Sequence, residues 1–291
     1  MPPRRTIVAT VLATLAALGF MATLAAFAVV QGGLYDVSAL RQHWKPAYAV
    51  LERAMEQSVR RHARQVQVPP LDDRTLALRG AACFRDKCVQ CHGAPGVAQS
   101  DIGQSMQPLP GPLIDAARRW EPRELYWVTR EGIRMSGMPA WEMHLSEEEI
   151  WSVVAFLQQL PHLSVQDYRQ AIRRADAVQQ AGFLSACGTE RRVGPATRGG
   201  DVEQGRKLLY QKACNACHVI PGITGSETHV GPPLGDFGRR DTVAGVLPNT
   251  SENLARWLRE PDAVKPGTAM PAMGLSAQDA LDIAAYLAAL R

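Results

Sequence analysis

One long apolar segment stands at the start of the chain, before any other pattern begins. Residues 6–30 carry no charged side chain, and about 20 apolar residues are enough for a helix to cross a bilayer. Arg4 and Arg5 precede the segment and favour a cytoplasmic N-terminus. The pattern predicts a single-pass anchor, with everything after it on the periplasmic side. A cleaved signal peptide is the alternative, because the Ala-Phe-Ala sequence at 26–28 resembles a cleavage site.

A second pattern follows the anchor. Apolar residues from Trp44 to Val59 recur every three or four positions, which is typical of an amphipathic helix. Such a helix could pack on the domain that follows, or lie on the membrane surface or against a partner subunit. We expect it to act as a spacer that packs on the next domain.

The remainder of the chain contains one helical plan twice. Each copy opens with a helix that carries a glycine, Gly80 or Gly205. Each copy closes with a helix preceded by a serine, and the two serines, Ser146 and Ser276, lie 130 positions apart. Ser146 and Glu149 form a capping-box pattern that marks a helix start. The pattern predicts an internal repeat of two domains. The predicted segments are the anchor 1–33, the spacer helix 34–70, a first domain 71–160, a connector 161–200 and a second domain 201–291.

The candidate chemistry lies in a pentapeptide that occurs in both domains, Cys-Val-Gln-Cys-His at 88–92 and Cys-Asn-Ala-Cys-His at 214–218. This spacing is the attachment site of a c-type haem. Two thiols one helical turn apart can add to the two vinyl groups of one porphyrin, and the histidine then lies under the iron. A zinc site would need a second ligand pair, and a redox dithiol does not need the histidine. We predict two covalently bound haem c groups, attached at Cys88, Cys91, Cys214 and Cys217, with His92 and His218 as iron ligands.

A Met-Pro pair follows each pentapeptide and predicts the sixth iron ligand. Met138 lies 46 residues after His92, and Met270 lies 52 residues after His218. An iron with histidine on one side and methionine on the other has no open position, so the predicted activity is electron transfer and not catalysis; the thioether also raises the reduction potential. The alternative ligands are Met135, Met143 and His144 in the first domain and Met273 in the second.

The charge distribution and the two remaining cysteines add less to the functional prediction. The net charge is +4, but the first domain has 9 basic and 12 acidic residues and the second has 9 and 10, so nothing indicates a nucleic-acid surface. Cys83 and Cys187 lie outside the pentapeptides. An oxidising compartment permits a disulfide between them, and two unpaired buried thiols are equally compatible with the sequence.

These motifs together resemble the class I cytochrome c family. In that family a glycine and an aromatic residue on the first helix, here Gly80 and Phe84, pack against the last helix. The second domain also has a sequence similar to the family's Gly-Pro-X-Leu turn, in which a proline carbonyl accepts a hydrogen bond from the proximal histidine; here that proline is Pro232. The first domain departs from it with Gly111 at that place. The resemblance implies an all-α fold with an N-terminal transmembrane helix followed by two class I cytochrome c domains.

The whole plan resembles the membrane-anchored dihaem c-type cytochromes of bacterial respiratory chains. Residues 201–291 look like the cytochrome c domain fused to subunit II of some haem–copper oxidases. The resemblance implies a protein of the bacterial inner membrane, in contact with lipid, that passes electrons toward a haem–copper terminal oxidase or receives them from an upstream cytochrome or dehydrogenase. The alternatives are a cytochrome subunit of a periplasmic dehydrogenase and a dihaem peroxidase, which would need an open iron position.

Overall fold

The computed structural model describes residues 3–42, 44–188, 196, 198–225 and 230–291, and it confirms the predicted mainly helical fold. The chain separates into two compact units, Met1–Leu51 and Glu52–Arg291. The α-helices are α1 (Arg4–Gln31), α2 (Lys45–Ala63), α3 (Arg74–Lys87), α4 (Val89–His92), α5 (Asp101–Ser105), α6 (Ala116–Arg119), α7 (Pro122–Glu131), α8 (Glu147–Gln159), α9 (Val165–Gln180), α10 (Val202–Gln211), α11 (Ser251–Arg259), α12 (Pro261–Val264) and α13 (Ala277–Ala289). Short 3-10 turns occupy Trp141–Met143, Leu160–His162, Cys214–Ala216 and Phe237–Arg239. Two strands, β1 (Thr242–Val243) and β2 (Leu247–Pro248), pair antiparallel.

Helix α1 has the length and composition of a membrane span. It contains 28 residues, which extend about 42 Å at 1.5 Å per residue, more than the roughly 30 Å of a hydrocarbon core. Its side chains are exposed along the whole helix. A signal sequence near an N-terminus shares these properties. The helix ends at Gly32 and Gly33, and Gly33 has the positive φ of +61° that glycine adopts without strain.

The first repeat is built on a close crossing of α3 and α8. Gly80 makes this crossing possible, because a Cβ at that position would lie 1.9 Å from the carbonyl oxygen of Ser152. One turn later Phe84 is fully buried and its ring centroid lies 5.4 Å from that of Phe156. Helix α8 begins with the predicted capping box, in which Ser146 and Glu149 exchange hydrogen bonds of 2.7 and 3.2 Å. The glycine predicted from the sequence is therefore the contact point of the two helices.

The second repeat has the same crossing, between α10 and α13. A Cβ at Gly205 would lie 2.0 Å from the carbonyl oxygen of Asp282, which stands 130 residues after Ser152 in the sequence. Helix α13 also begins with a capping box, between Ser276 and Asp279. Both the glycine-mediated crossing and the capped closing helix thus recur, as the repeat predicted.

Segments on both sides of the first repeat pack against it. The end of α2 is buried at Val59 and Ala63, which are 1% and 0% exposed, whereas Trp44 at the start of the periodic stretch is 77% exposed. After the repeat, α9 buries Tyr168, whose ring lies 6.4 Å from that of Phe84. The hydrophobic core around α3 and α8 therefore includes residues from the predicted connector.

Cys83 and Cys187 form a disulfide that ties α3 to the segment after α9. The buried carboxylate of Glu149 lies close to both sulfur atoms. Its two oxygens accept backbone N–H groups, from Ser146 at 2.7 Å and from Gly188 at 2.6 Å. Because both sulfur atoms are bonded to each other and both oxygens are occupied, this cluster is a structural crosslink and not a metal site.

Candidate haem-binding sites

The first pentapeptide follows directly from the opening helix. Helix α3 ends at Lys87, and α4, with Cys88 as its N-cap, brings Cys88, Cys91 and His92 into a single turn. The amide of His92 donates to the Cys88 carbonyl at 2.9 Å, which closes that turn. Neither cysteine is in a disulfide. The arrangement leaves two thiols, about one turn apart, on one side of the opening helix's end.

A backbone carbonyl fixes the ring of His92. Its Nδ1 lies 2.7 Å from the carbonyl oxygen of Gly111. A carbonyl can only accept a hydrogen bond, so Nδ1 carries the proton and Nε2 keeps its lone pair for a metal ion. The sequence left open which carbonyl holds this ring, and the structure assigns it to Gly111.

The second pentapeptide reaches the same geometry by a different backbone path. Two residues, Lys212 and Ala213, separate it from its opening helix, and Ala213 lies in the left-handed region at a φ of +56°. The 3-10 turn Cys214–Ala216 follows. The amide of His218 donates to the Cys214 carbonyl at 3.0 Å, and neither Cys214 nor Cys217 is in a disulfide. Both sites therefore present two free thiols and one histidine in a tight turn.

The ring of His218 is held on two sides. Its Nδ1 lies 2.7 Å from the carbonyl oxygen of Pro232, the residue that the sequence indicated. The backbone of Gly231 lies against the ring face, because a Cβ there would come within 2.4 Å of the ring carbon Cε1. The amide of Gly231 in turn donates to the Cys217 carbonyl at 2.8 Å. Glycine is thus required at 231 for the ring to reach its carbonyl partner.

The two Met-Pro loops share a local hydrogen bond that orients the methionine. The amide of Met138 donates to the Ser136 hydroxyl at 3.2 Å, and the amide of Met270 donates to the Thr268 hydroxyl at 3.3 Å. In the first loop the Ile133 amide also donates to the Met138 carbonyl at 3.1 Å. Both methionine side chains are partly buried. A hydroxyl group two residues before the methionine is therefore a feature that the two loops share.

The other side chains considered as sixth ligands have different surroundings. Met135 is 92% exposed at the loop tip, and Met143 is 2% exposed within the hydrophobic cluster of the second repeat. His144 lies beside Trp141, with ring centroids 6.1 Å apart. Met273 packs against the same cluster as Met270. Met135 and Met143 are thus turned to solvent and to the second repeat.

Burial sets the protonation of these groups before any cofactor is attached. It raises the pKa of the Cys88 thiol to about 12 and that of the Cys214 thiol to about 11. Burial lowers the pKa of His92, although the hydrogen bond to Gly111 acts in the opposite direction. The buried cysteines therefore remain neutral at pH 7, and His92 has an unprotonated nitrogen available for a metal ion.

The donor set fits an iron porphyrin. Each repeat offers two free thiols for covalent attachment, an imidazole whose Nδ1 is already engaged, and a methionine thioether downstream. Imidazole and thioether are axial donors found in c-type haem proteins. The sequence placed Gly111, Gly231, Ser136 and Thr268 within the site motifs but did not predict their contacts. The hydroxyl pattern was readable from the paired loops Ser-Gly-Met-Pro and Thr-Ala-Met-Pro, whereas the ring contact of Gly231 needed the folded structure.

Family comparisons match the two repeats separately. Residues 75–157 match the family described as cytochrome c oxidase, cbb3-type, subunit III, and residues 202–291 match the cytochrome c family. The two families thus fall on the two parts of the chain that each contain one pentapeptide and one Met-Pro loop.

The curated relatives are named as cytochrome c oxidase subunits and as a c-type cytochrome. Cytochrome c oxidase subunit 2 of Alkalihalophilus pseudofirmus is 40% identical over 91 residues, which cover 31% of this chain and 26% of that protein. Subunit 2 of Bacillus subtilis is 39% identical over 71 residues, 24% of this chain and 20% of that protein. The cytochrome c-type cyt cy of Rhodobacter capsulatus is 38% identical over 108 residues, 33% of this chain and 52% of that protein.

The chain spans between 20% and 52% of the lengths of these relatives, so the similarity concerns only the shared domains. What is shared is the cytochrome c domain, and it occurs here twice. Cytochrome c domains imply covalently bound haem c and an electron-carrier role, and the number of domains fits two haems. The chain therefore carries two cytochrome c domains, which support a dihaem c-type cytochrome.

Proposed function

We propose that this cytochrome is a dihaem electron carrier, anchored in the bacterial inner membrane with both cytochrome c domains in the periplasm, that passes electrons toward a terminal oxidase. The observation that carries the proposal is the duplicated histidine geometry. In both domains Nδ1 lies 2.7 Å from a loop carbonyl, Gly111 or Pro232. Two sites built alike for the same ligand are what a two-haem relay requires.

In this proposal the chain holds each haem c through four residues. Cys88 and Cys91, and likewise Cys214 and Cys217, form the thioether links. The unprotonated Nε2 atoms of His92 and His218 and the thioethers of Met138 and Met270 would bind the two irons. Bound haem c would supply an iron that alternates between the ferrous and ferric states. The protein's part is to keep both axial ligands unchanged between these states, to bury the porphyrin and to exclude other ligands.

The location follows from the anchor. The length of α1 and the basic residues Arg4 and Arg5 support one membrane crossing with the N-terminus in the cytoplasm. Haem is attached to such motifs on the periplasmic side, and the Cys83–Cys187 disulfide supports an oxidising compartment. A retained helix is supported over a cleaved signal peptide by its 28-residue length.

The relatives support a respiratory partner. Two of the named proteins are subunits of cytochrome c oxidase, and the first domain matches a cbb3-type oxidase subunit family. We therefore propose a haem–copper oxidase as the electron acceptor.

Purification of the tagged full chain from native membranes tests this function. We expect a copper-containing oxidase to co-purify, and reduced protein to be reoxidised by that oxidase and oxygen. A quinoprotein, flavoprotein or molybdenum partner would instead identify a dehydrogenase subunit. Turnover of peroxide by the isolated protein would contradict the carrier function altogether.

A further inference from the structure

The two cytochrome c domains meet at a buried contact next to both candidate haem sites. The Nζ atom of Lys212 donates to the carbonyl oxygen of Met143 at 2.9 Å, and both residues are buried, at 8% and 2% exposure. Met143 ends the turn that begins three residues after Met138. Lys212 lies two residues before Cys214. The contact therefore joins the methionine loop of the first domain to the attachment turn of the second.

The side chain of Met143 departs from the internal repeat. Its counterpart 130 residues later is Met273, which packs against the hydrophobic cluster of its own, second domain. Met143 belongs to that same second-domain cluster and not to the cluster of the first domain. An apolar side chain that crosses between the two domains removes apolar area from water at their contact, which favours one fixed arrangement.

A second residue of the first domain also lies at the contact between the two domains. Glu142, the residue before Met143, lines a cavity together with second-domain residues, among them Leu208 and Gln204. Glu142 is also ion-paired with Arg130 on α7. The Trp141–Met143 turn is thus bound to its own domain by the ion pair of Glu142 with Arg130, and it contacts the second domain through the side chain of Met143.

From these contacts we infer that Lys212 and Met143 are positioning residues for electron transfer between the two haems. Their contact orients the methionine-loop side of the first domain toward the attachment side of the second and fixes the separation. The inference rests on the proposed function, since it assumes a haem in each domain. The step it serves moves one electron from a ferrous to a ferric iron within the chain, and no bond is formed or broken and no proton moves.

The test compares Lys212→Met with Lys265→Met in the purified, haem-loaded full chain. Lys265 is the control, because its Nζ also donates to a backbone carbonyl, that of Ala244 at 3.2 Å, but from an exposed side chain within the second domain. Hydrogen exchange is measured at residues 141–145 and 208–214. We expect Lys212→Met to speed exchange there roughly tenfold, the factor that corresponds to about 1.4 kcal/mol, because a charged hydrogen bond is lost. The control should leave this exchange unchanged.

Electron transfer between the haems is then followed after flash reduction by an external photoreductant. We expect the intramolecular rate to fall in Lys212→Met below the rates of the parent and of Lys265→Met, and to fall also in Met143→Ala, which removes the crossing side chain. The Met143→Ala variant tests the contact from the first domain if Lys212→Met does not fold.

The outcomes separate this inference from the proposed function. Hydrogen exchange that stays unchanged in both Lys212→Met and Met143→Ala would show that the contact does not hold the domains together. Faster exchange with an unchanged transfer rate would overturn the positioning role while leaving the relay intact. A parent protein that shows no intramolecular transfer would contradict the proposed function and, with it, the role of this contact.

Discussion

Replacing Gly231 by alanine tests the geometry of the second site most specifically. The added methyl group would lie 2.4 Å from Cε1 and 2.6 Å from Nδ1 of His218. That position is about 1 Å inside the 3.4 Å at which ordinary contact begins. The backbone of the glycine loop is tied to Cys217, so the ring has to move.

Displacement of the ring has two consequences. Overpacking of this kind costs about 1–3 kcal/mol, so we expect the second domain to lose that much unfolding free energy. The moved Nδ1 also loses its partner at Pro232, which makes the imidazole less basic and a weaker donor. A weaker donor stabilises ferric iron less, so the reduction potential of the second haem should rise. In a fraction of molecules the ligand should be displaced altogether and the haem become high-spin.

The assay is a redox titration combined with carbon monoxide binding to the ferrous protein, which requires an open iron position. Gly111→Ala is the matched control, because a Cβ there has no neighbour within 4 Å and the carbonyl to His92 is retained. We expect both haems of the control to match the parent. A second haem in Gly231→Ala that remains low-spin, with an unshifted potential and no carbon monoxide binding, would refute the assigned ring contact.

Three further predictions concern stability. Gly80→Ala places a methyl group 1.9 Å from a carbonyl oxygen of α8 and should cost about 3 kcal/mol in denaturant unfolding, the upper end of the usual overpacking cost. The double variant Cys83→Ser/Cys187→Ser opens a crosslink between residues 104 positions apart and should cost about 2–4 kcal/mol. The backbone N–H of Gln204 donates to the carboxylate of Asp201 and holds the pKa of Asp201 below its ordinary value. This carboxylate therefore stabilises the second domain above about pH 3.9, and the stabilisation disappears as the pH falls through the lower pKa of the folded state. Asp201→Asn should weaken that pH dependence, measured by thermal unfolding between pH 2 and 6.

Each of these has a direct comparison. Gly199→Ala is the control for the helix crossing, because a Cβ at that position meets nothing within 4 Å; equal losses in both variants would contradict the crossing argument. Reduction of the parent by dithiothreitol should reproduce the loss seen in the double serine variant, and no difference between oxidised and reduced parent would show that the crosslink is not stabilising. An unaltered acid profile in Asp201→Asn would remove that group from the pH dependence.

Local rules predicted the strongest features of this chain. The N-terminal helix is an uninterrupted apolar run, and the opening and closing helices have strong caps and a glycine where they cross. The pentapeptides and Met-Pro loops are short motifs whose chemistry depends on spacing, so they are visible without a structure.

The sequence alone did not predict features that depend on contacts between residues far apart in the chain. The sequence named Met143 as an alternative ligand, but its side chain is buried against the other domain. The carbonyl that holds His92 belongs to Gly111, 19 residues away, where the familiar proline is missing. Helix α7 was not predicted, although Pro122 at its first position is a start signal. For Met143 and Gly111 the partner is set by tertiary packing, which a local pattern does not encode, whereas the start signal of α7 is local.

Our proposal gives this chain two haems, each with histidine and methionine as iron ligands. Low-temperature electron paramagnetic resonance and near-infrared magnetic circular dichroism of the oxidised full chain, with parallel samples of Met138→Ala and Met270→Ala, test it most directly. We expect two low-spin ferric haems with the methionine-to-iron band in the parent, and the loss of that band and a lower potential for one haem in each variant. A high-spin haem in the parent, or a variant whose spectrum is unchanged, would contradict this ligand assignment.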